Sequence, residues 1–234
     1  MPNMCRKIIP NFITLCNLLC GAISVTCLFS GNMVWAACFI VVAAVFDFFD
    51  GLAARLLHVQ SDMGKELDSL ADVVSFGLAP AMIAYSLVSA FLPDYWAYGV
   101  FVMPAAAAWR LARFNLDERQ RYCFKGMPTP VNALFWVALA LSWTCDGVLP
   151  HAVLLLILSW AMAFLMVCNC RMFSLKIKDF SWKRQKTIYI YLAVVVLLFV
   201  LRGFLGLAAS VVLYPIFSRL HFCLLDKTIK TDKL

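Results

Sequence analysis

Two pairs of aspartates lie in apolar segments, where carboxylates are rare. Asp47 and Asp50 are three residues apart, and Asp68 and Asp72 are four apart. In helices, these spacings place each pair on one face. Four converging carboxylates repel one another unless cations lie between them, and hard oxygen ligands select Mg²⁺, Mn²⁺ or Ca²⁺. The pattern therefore predicts a two-metal site.

The residues next to the aspartates are small, with one cation among them. Gly51 follows Asp50 directly, Ala54 lies one helical turn further on, and Gly64 lies one turn before the second pair. Short side chains at these positions leave space for a ligand. Arg55, one turn after Gly51, offers two parallel N–H donors to a phosphate group. The pattern predicts a metal site that also binds phosphate.

The rest of the chain has the composition of a membrane protein. Of its 234 residues, 64% are hydrophobic and 14% are charged, whereas soluble domains are about one quarter charged. Residues 8–46 contain no Asp, Glu, Lys or Arg, and that run is roughly twice the length one spanning helix needs. The composition excludes a disordered chain and a small disulfide scaffold. We predict an all-α integral membrane protein with a single domain over residues 1–234.

Uncharged runs between charged or turn-forming residues give eight candidate spans. They are residues 12–30, 33–57, 66–92, 96–114, 128–146, 150–170, 187–202 and 204–222. With eight spans, both termini lie on one side of the membrane, and of the 20 Lys and Arg residues only Arg202 falls on the other side. The positive-inside rule makes the side of the termini the cytoplasm. The net charge of +7 therefore follows from topology and needs no nucleic-acid partner.

The second and third candidate helices must position the aspartates. Their connection, residues 58–65, is short, so the two helices are expected to be antiparallel neighbours. The two aspartate pairs then meet close to the cytoplasmic interface. We expect the site to face the cytoplasm in a multi-pass protein of the cytoplasmic membrane.

The segment from Asp47 to Asp72 reads D-x2-D-G-x2-A-R-x8-G-x3-D-x3-D. It resembles the signature of the CDP-alcohol phosphatidyltransferase family, with every spacing intact. The resemblance implies an enzyme of phospholipid biosynthesis that moves the phosphatidyl group of a CDP-linked lipid to an alcohol and releases CMP. It also implies that Asp47, Asp50 and Asp68 bind two Mg²⁺ or Mn²⁺ ions with Asp72 close to them, and that Asp72 removes the proton of the attacking hydroxyl. Members of the family are homodimers with six core helices, to which this chain would add two.

Four segments resemble the branch of this family that uses serine. They are Pro10-Asn11-x-x-Thr14-x-x-Asn17, residues 68–80, residues 110–115 and residues 126–130. Relatives that use glycerophosphate commonly place Lys after the fourth aspartate, where this chain has Val73. The resemblance implies CDP-diacylglycerol as donor and L-serine as acceptor. Glycerol 3-phosphate or an inositol phosphate is the alternative acceptor.

Candidate residues for the acceptor are basic. Arg110 and Arg113 are three apart at the end of the fourth candidate span, so both side chains can meet one carboxylate. The alternative is that they are interface anchors. Lys125, in the following loop, is a further candidate.

Candidate residues for the nucleotide lie on the first helix. Asn11, Thr14 and Asn17 share one face and are expected to bond the cytidine base or ribose. The alternative roles are helix capping and bonding between helices.

Two non-enzymatic readings remain open at this point: a transporter or channel with an acidic ion site, and a catalytically inactive scaffold. The acidic residues cluster towards one interface and the aspartate set is complete, which favours the enzyme. Nine aromatic residues are expected to face lipid or the membrane–water interface. They are Trp35, Phe76, Trp109, Phe114, Phe135, Trp136, Trp143, Trp160 and Trp182.

Overall fold

A computed structural model describes residues 2–59, 61–116, 124–172 and 182–231 of the chain. These residues are helical apart from short connections and one two-residue ribbon. The helices are α1 (Pro2–Phe29), α2 (Met33–Leu56), α3 (Asp62–Asp72), α4 (Ala79–Ser89), α5 (Asp94–Ala97), α6 (Val102–Leu116), α7 (Thr129–Leu141), α8 (Ala152–Val167) and α9 (Trp182–Thr231). The ribbon pairs β1 (Phe124–Lys125) with β2 (Arg171–Met172) in antiparallel register.

Helices α1 and α2 form an antiparallel hairpin. The turn between them contains Gly31 at φ +77°, a conformation that glycine adopts without a steric penalty. Ser24 donates a hydrogen bond to the carbonyl of Ala36 at 2.8 Å and so joins the two helices. The hairpin fixes the register between α1 and the carboxylate-bearing end of α2.

The third membrane helix is continuous over Asp62–Ser89, with a π-helical segment, Val73–Leu78, between α3 and α4. It begins at Ser61, whose hydroxyl accepts a hydrogen bond from the Gly64 amide at 3.1 Å and caps the first turn. The π segment lies in the middle of the bundle. A Cβ at Gly77 would lie 3.1 Å from the Ala107 Cβ, so α6 packs directly on the backbone here, as small residues allow.

The segment α9 folds back on itself at Gly203, whose φ and ψ are 57° and −138°. Tyr191 donates a hydrogen bond to the carbonyl of Ser210 at 3.2 Å. In a straight helix, residues this far apart in sequence would be roughly 28 Å apart. Residues before and after Gly203 therefore form two antiparallel arms.

The chain is a multi-pass membrane protein. Among the described residues, four helical stretches are long and apolar enough to cross a membrane, and α8 is a shorter apolar helix. They are Ile8–Phe29, Met33–Leu56, Asp62–Ser89 and Thr187–Phe222, the last of which is divided into two arms at Gly203. Each of the eight candidate spans overlaps helical residues, but the count of eight crossings stays a prediction.

The bundle core corrects one expectation about aromatic residues. Phe76, Phe135 and Trp136 are at most 1% exposed and pack in the protein interior, so the prediction that they face lipid is wrong. Trp109 and Trp160 are more than half exposed, as expected of lipid-facing or interface positions. The side chain of Trp182 lies outside the described residues.

The β1–β2 ribbon ties the start of α7 to the end of α8. The amide of Gly126, at φ +80°, donates to the carbonyl of Cys170 at 2.9 Å, and the amide of Met127 donates to the carbonyl of Leu165 at 2.9 Å. Residues 117–123 and 173–181, which fall in two predicted basic loops, lie outside the described residues.

Candidate functional site

Three of the predicted carboxylates meet where the end of α2 passes the start of α3. Asp47 and Asp50 extend from α2 and Asp68 from α3, and one oxygen from each lies within 4.8 Å of the other two. Ligand oxygens on opposite sides of Mg²⁺ are about 4.2 Å apart, and those around Ca²⁺ about 5 Å. The oxygens therefore have the chemistry and spacing to hold a divalent cation.

Asp72 lies one helical turn deeper than Asp68. Among the described residues, the three-carboxylate group does not include it, but its charge interacts with those of Asp47, Asp50 and Asp68. Its side chain is 8% exposed, and its buried Oδ1 has no hydrogen-bond partner in the described ranges. The structure thus groups Asp47, Asp50 and Asp68. Asp72 lies outside that group but close enough for its charge to interact with theirs. Its part in binding metal stays a prediction.

A guanidinium faces Asp72 from α6. The charge of Arg110 interacts with that of Asp72, and the buried Nε of Arg110 has no hydrogen-bond partner among the residues described. A cation in this position offsets part of the repulsion among the carboxylates and leaves an N–H donor for a ligand.

Thr14 contacts a carboxylate directly. Its hydroxyl lies 2.8 Å from Oδ2 of Asp50 and 3.0 Å from the carbonyl of Pro10. An ionised carboxylate is the stronger acceptor, so the hydroxyl donates to Asp50 and orients it. The sequence placed Thr14 on the face of α1 expected to bind the nucleotide, which stays a prediction, and did not identify Asp50 as its partner.

The other two candidates on α1 lie on either side of Thr14. Oδ1 of Asn11 is 3.0 Å from where a Cβ would stand at Gly64, so that glycine permits the close approach of α1 and α3. Asn17 is fully buried, and its carbonyl accepts a hydrogen bond from Ser75 at 2.9 Å. Both polar atoms of its side chain lack a partner in the part of the chain that the structure describes.

The phosphate-binding candidates lie at the end of α2. Nε of Arg55 donates to the carbonyl of Gly51 at 2.8 Å, and the side chain is exposed. A Cβ at Gly51 would meet only Nη2 of Arg55, at 3.5 Å. Ala54 is half-buried one turn beyond Asp50. This end of the helix presents one guanidinium, little side-chain bulk and open surface beside the carboxylates.

The contacts of Arg113 differ from those of Arg110. Its Nη2 donates to Oδ1 of Asn169, and its Nη1 donates to the carbonyl of Val167 at 3.5 Å. These contacts tie the end of α6 to the end of α8. Lys125 lies in β1, and its side chain lies outside the described residues.

Asn115 is a connecting residue that the sequence did not single out as a site residue. Its Nδ2 donates to the hydroxyl of Ser69 at 2.9 Å and to Glu66 at 3.3 Å, and its carbonyl accepts from Lys65 at 3.0 Å. These bonds join the end of α6 to the first turns of α3 and so help to position Asp68.

Helix α7 carries buried polar residues that the sequence analysis did not identify as site residues. Thr129, Asn132 and Trp136 are fully buried, and each has a polar side-chain atom that no described residue hydrogen-bonds. Nδ2 of Asn132 lies 3.5 Å from the carbonyl of Phe76 in the π segment. Their spacing of three and four in an apolar helix was the available sequence signal.

Comparison with known proteins gives consistent matches. The CDP-alcohol phosphatidyltransferase family matches residues 7–165. The CDP-diacylglycerol--serine O-phosphatidyltransferase of Bacillus subtilis is 37% identical over 163 residues, which cover 70% of this chain and 88% of that protein. Proteins of the same name from Mycobacterium leprae and Saccharomyces cerevisiae are 36% identical over 140 residues and 41% identical over 112 residues. Those matches cover 57% and 44% of this chain, and 46% and 40% of the two relatives.

Proposed function

This chain belongs to the CDP-alcohol phosphatidyltransferase family, and we propose that it transfers the phosphatidyl group of CDP-diacylglycerol to the hydroxyl of L-serine and releases CMP. The observation that carries the proposal is the convergence of Asp47, Asp50 and Asp68 to within 4.8 Å at the end of two apolar helices. The names of the relatives support the choice of serine over other alcohols.

The carboxylates would hold two divalent cations, Mg²⁺ or Mn²⁺. Asp47, Asp50 and Asp68 supply the ligand oxygens, with Asp72 beside them. When bound, the cations supply positive charge that stabilises the phosphate oxygens during transfer. Thr14 keeps Asp50 in place, since its hydroxyl bonds Oδ2 at 2.8 Å.

The donor lies with its acyl chains in the bilayer beside the helices and its diphosphate at the site. Arg55 is the exposed guanidinium at the end of α2 and would bind a phosphate oxygen there, next to the short side chains of Gly51 and Ala54. Asn11, which contacts the Gly64 backbone region, and Asn17 are the candidates for the nucleotide.

Asp72 would act as the base. Its buried Oδ1, which has no hydrogen-bond partner within the described residues, would accept the proton of the serine hydroxyl. The serine oxygen then forms a bond to the lipid-proximal phosphorus, and the bond from that phosphorus to the oxygen of the CMP phosphate breaks. CMP leaves with the electron pair. Arg110, whose charge interacts with Asp72, would bind the carboxylate of serine.

The setting of the reaction is also part of the proposal. We place the site at the cytoplasmic face of the cytoplasmic membrane because 19 of the 20 basic residues fall on the side of the termini in an eight-span topology. The working unit would be a homodimer.

The test is CMP release by the purified protein in detergent or vesicles containing CDP-diacylglycerol. Acceptors are L-serine, glycerol 3-phosphate and an inositol phosphate, each with Mg²⁺ or Mn²⁺ and with an EDTA control. We expect release that depends on serine and stops with EDTA. Asp68→Asn should abolish it, whereas Asp62→Asn, the same change on an exposed residue of the same helix, should not. Release with a phosphorylated acceptor alone would refute serine as substrate, and no release with any acceptor would refute the proposed activity.

A further inference from the structure

Two acceptor oxygens on α7 are buried, and the described residues offer them no donor. Thr129 and Asn132 are both 0% exposed, and within the described part of the chain neither Oγ1 of Thr129 nor Oδ1 of Asn132 has a hydrogen-bond partner. Such groups are costly in a membrane protein, because lipid offers no hydrogen bonds. Two such oxygens on one helix face call for a ligand.

The two residues lie on a helix that packs against the π segment, which directly follows the proposed base. Asn132 contacts the carbonyl of Phe76 through Nδ2 at 3.5 Å, and Phe76 follows Asp72 by about one turn along the same continuous helix. Thr129 is the first residue of α7, one turn from Asn132 on the same face. The two oxygens therefore lie on the α7 side of the helix that carries Asp72.

Their spacing suits an ammonium group. Side chains three residues apart on a helix have Cβ atoms about 5–6 Å apart, and two N–H···O bonds of about 2.9 Å from one nitrogen span a similar distance. An ammonium has three donors and no acceptor, which complements two lone acceptors. On α6, Nε of Arg110 is a donor without a partner among the residues that the structure describes, which complements a carboxylate.

We propose that Thr129 and Asn132 bind the ammonium group of the amino-acid acceptor while Arg110 binds its carboxylate. This inference rests on the proposed function and adds to it the residues that recognise a zwitterion. The acceptor would then be bound at three groups: its ammonium, its carboxylate and its hydroxyl, which lies at Asp72. Binding at all three selects an amino acid over a simple hydroxy acid.

The test measures steady-state kinetics of CMP release by wild-type protein and by Thr129→Val, which removes the hydroxyl at nearly constant volume. The acceptors are L-serine and 3-hydroxypropionate, which is serine without its ammonium group. We expect Thr129→Val to raise the KM for L-serine at least about tenfold, the effect of one lost hydrogen bond to a charged group. The KM for CDP-diacylglycerol should stay constant, and the preference for serine over 3-hydroxypropionate should fall by a similar factor.

Two variants serve as controls. Thr129→Ser keeps the hydroxyl and should keep the wild-type KM for serine. Thr144→Val makes the same change on an exposed residue at the far end of the same helical segment and should leave all constants unchanged. If Thr129→Val fails to fold, Asn132→Ala gives the same measurement on the second oxygen.

The outcomes separate this inference from the proposed function. Wild-type protein without serine-dependent CMP release refutes both. Serine-dependent activity with an unchanged KM for serine in Thr129→Val or Asn132→Ala refutes the role of α7 alone. A wild-type enzyme that uses 3-hydroxypropionate as well as L-serine also overturns the inference, because no ammonium contact would then be required.

Discussion

Replacing Thr14 by valine tests whether its hydroxyl positions a metal ligand. Valine has nearly the same shape, and Thr14 is only 3% exposed, so the substitution removes one donor with little change in packing. The bond lost is the 2.8 Å contact with Oδ2 of Asp50. A hydrogen bond to a charged group contributes about 1.5–3 kcal/mol. Partners that orient a metal ligand change metal affinity about 10–100-fold, which corresponds to about 1.4–2.8 kcal/mol.

We therefore expect Thr14→Val to raise the Mn²⁺ or Mg²⁺ concentration for half-maximal CMP release by about 10–100-fold. At saturating metal, kcat should stay close to that of the wild type, because Thr14 has no role in the transfer itself. A measurement without turnover accompanies the assay: the rise in melting temperature of the purified protein as Mn²⁺ is added. The variant should need correspondingly more metal for the same rise.

The same helix offers a matched control. Thr26 bonds only carbonyls of its own helix, at 2.7 Å to Ile23 and 3.4 Å to Ala22, so Thr26→Val should leave metal dependence unchanged. Thr14→Ser keeps the donor and should behave like the wild type. If Thr14→Val and Thr26→Val need the same metal concentration for half of the full effect in both measurements, Thr14 does not position a metal ligand through Asp50.

Two further predictions concern the base and the arginines. Asp72→Asn should retain CDP-diacylglycerol binding, measured by protection against heat, but lower kcat by about 10²–10⁴; near wild-type turnover would show that Asp72 is not the base. Arg113→Ala and Asn169→Ala should have effects that do not add in a double-mutant cycle, because each removes the same contact, and both should change the KM for serine less than Arg110→Ala. A larger KM effect for Arg113→Ala would return Arg113 to the serine site.

The site at the two aspartate pairs could be predicted because carboxylates are rare in apolar helices and usually serve a function there. Periodicity assigned each pair to one face, and the short connection made α2 and α3 neighbours. The structure accordingly brings Asp47 and Asp50 to Asp68. The place of Asp72, one turn deeper, follows from the same periodicity, but its separation from the other three needed coordinates.

Partners across the bundle could not be predicted, because sequence gives the face of a helix and not its register against a neighbour. The spacing put Thr14 on one face of α1 with Asn11 and Asn17. Its bond to Asp50, however, depends on how far α2 is shifted along α1. The contact between Arg113 and Asn169 joins residues 56 positions apart. No local pattern links them.

Aromatic burial was mispredicted for a different reason. Lipid and protein interior are both apolar, so hydropathy does not separate a lipid-facing residue from a core residue. Phe135 and Trp136 lie in an apolar stretch of α7 and were expected to face lipid, yet both are at most 1% exposed. Polar residues on the same face, such as Asn132, were the better indicator that this side of α7 faces protein.

The distribution of unpartnered polar atoms argues for a ligand-binding layer. Away from the carboxylates, buried hydroxyls such as those of Ser24, Ser159 and Ser210 each donate to a backbone carbonyl at 2.7–2.8 Å. On the helices that pack around Asp72 and the π segment after it, by contrast, several buried polar atoms have no partner among the described residues. They are Oδ1 of Asp72, Nε of Arg110, Oδ1 of Asn115, the side-chain amide of Asn17, Oγ1 of Thr129, Oδ1 of Asn132 and Nε1 of Trp136.

The hydroxyls of these three serines are thus satisfied within the bundle. Where α1, α6 and α7 pack on the π-helical segment, both donors and acceptors have no partner among the described residues. Apolar packing elsewhere must offset the cost of these groups. A bound substrate carrying an ammonium, a carboxylate and a hydroxyl would satisfy such a mixture, whereas a metal-ion pathway would need acceptors alone. The mixture of donors and acceptors is therefore the physical reason for preferring an enzyme with a zwitterionic acceptor over an ion transporter.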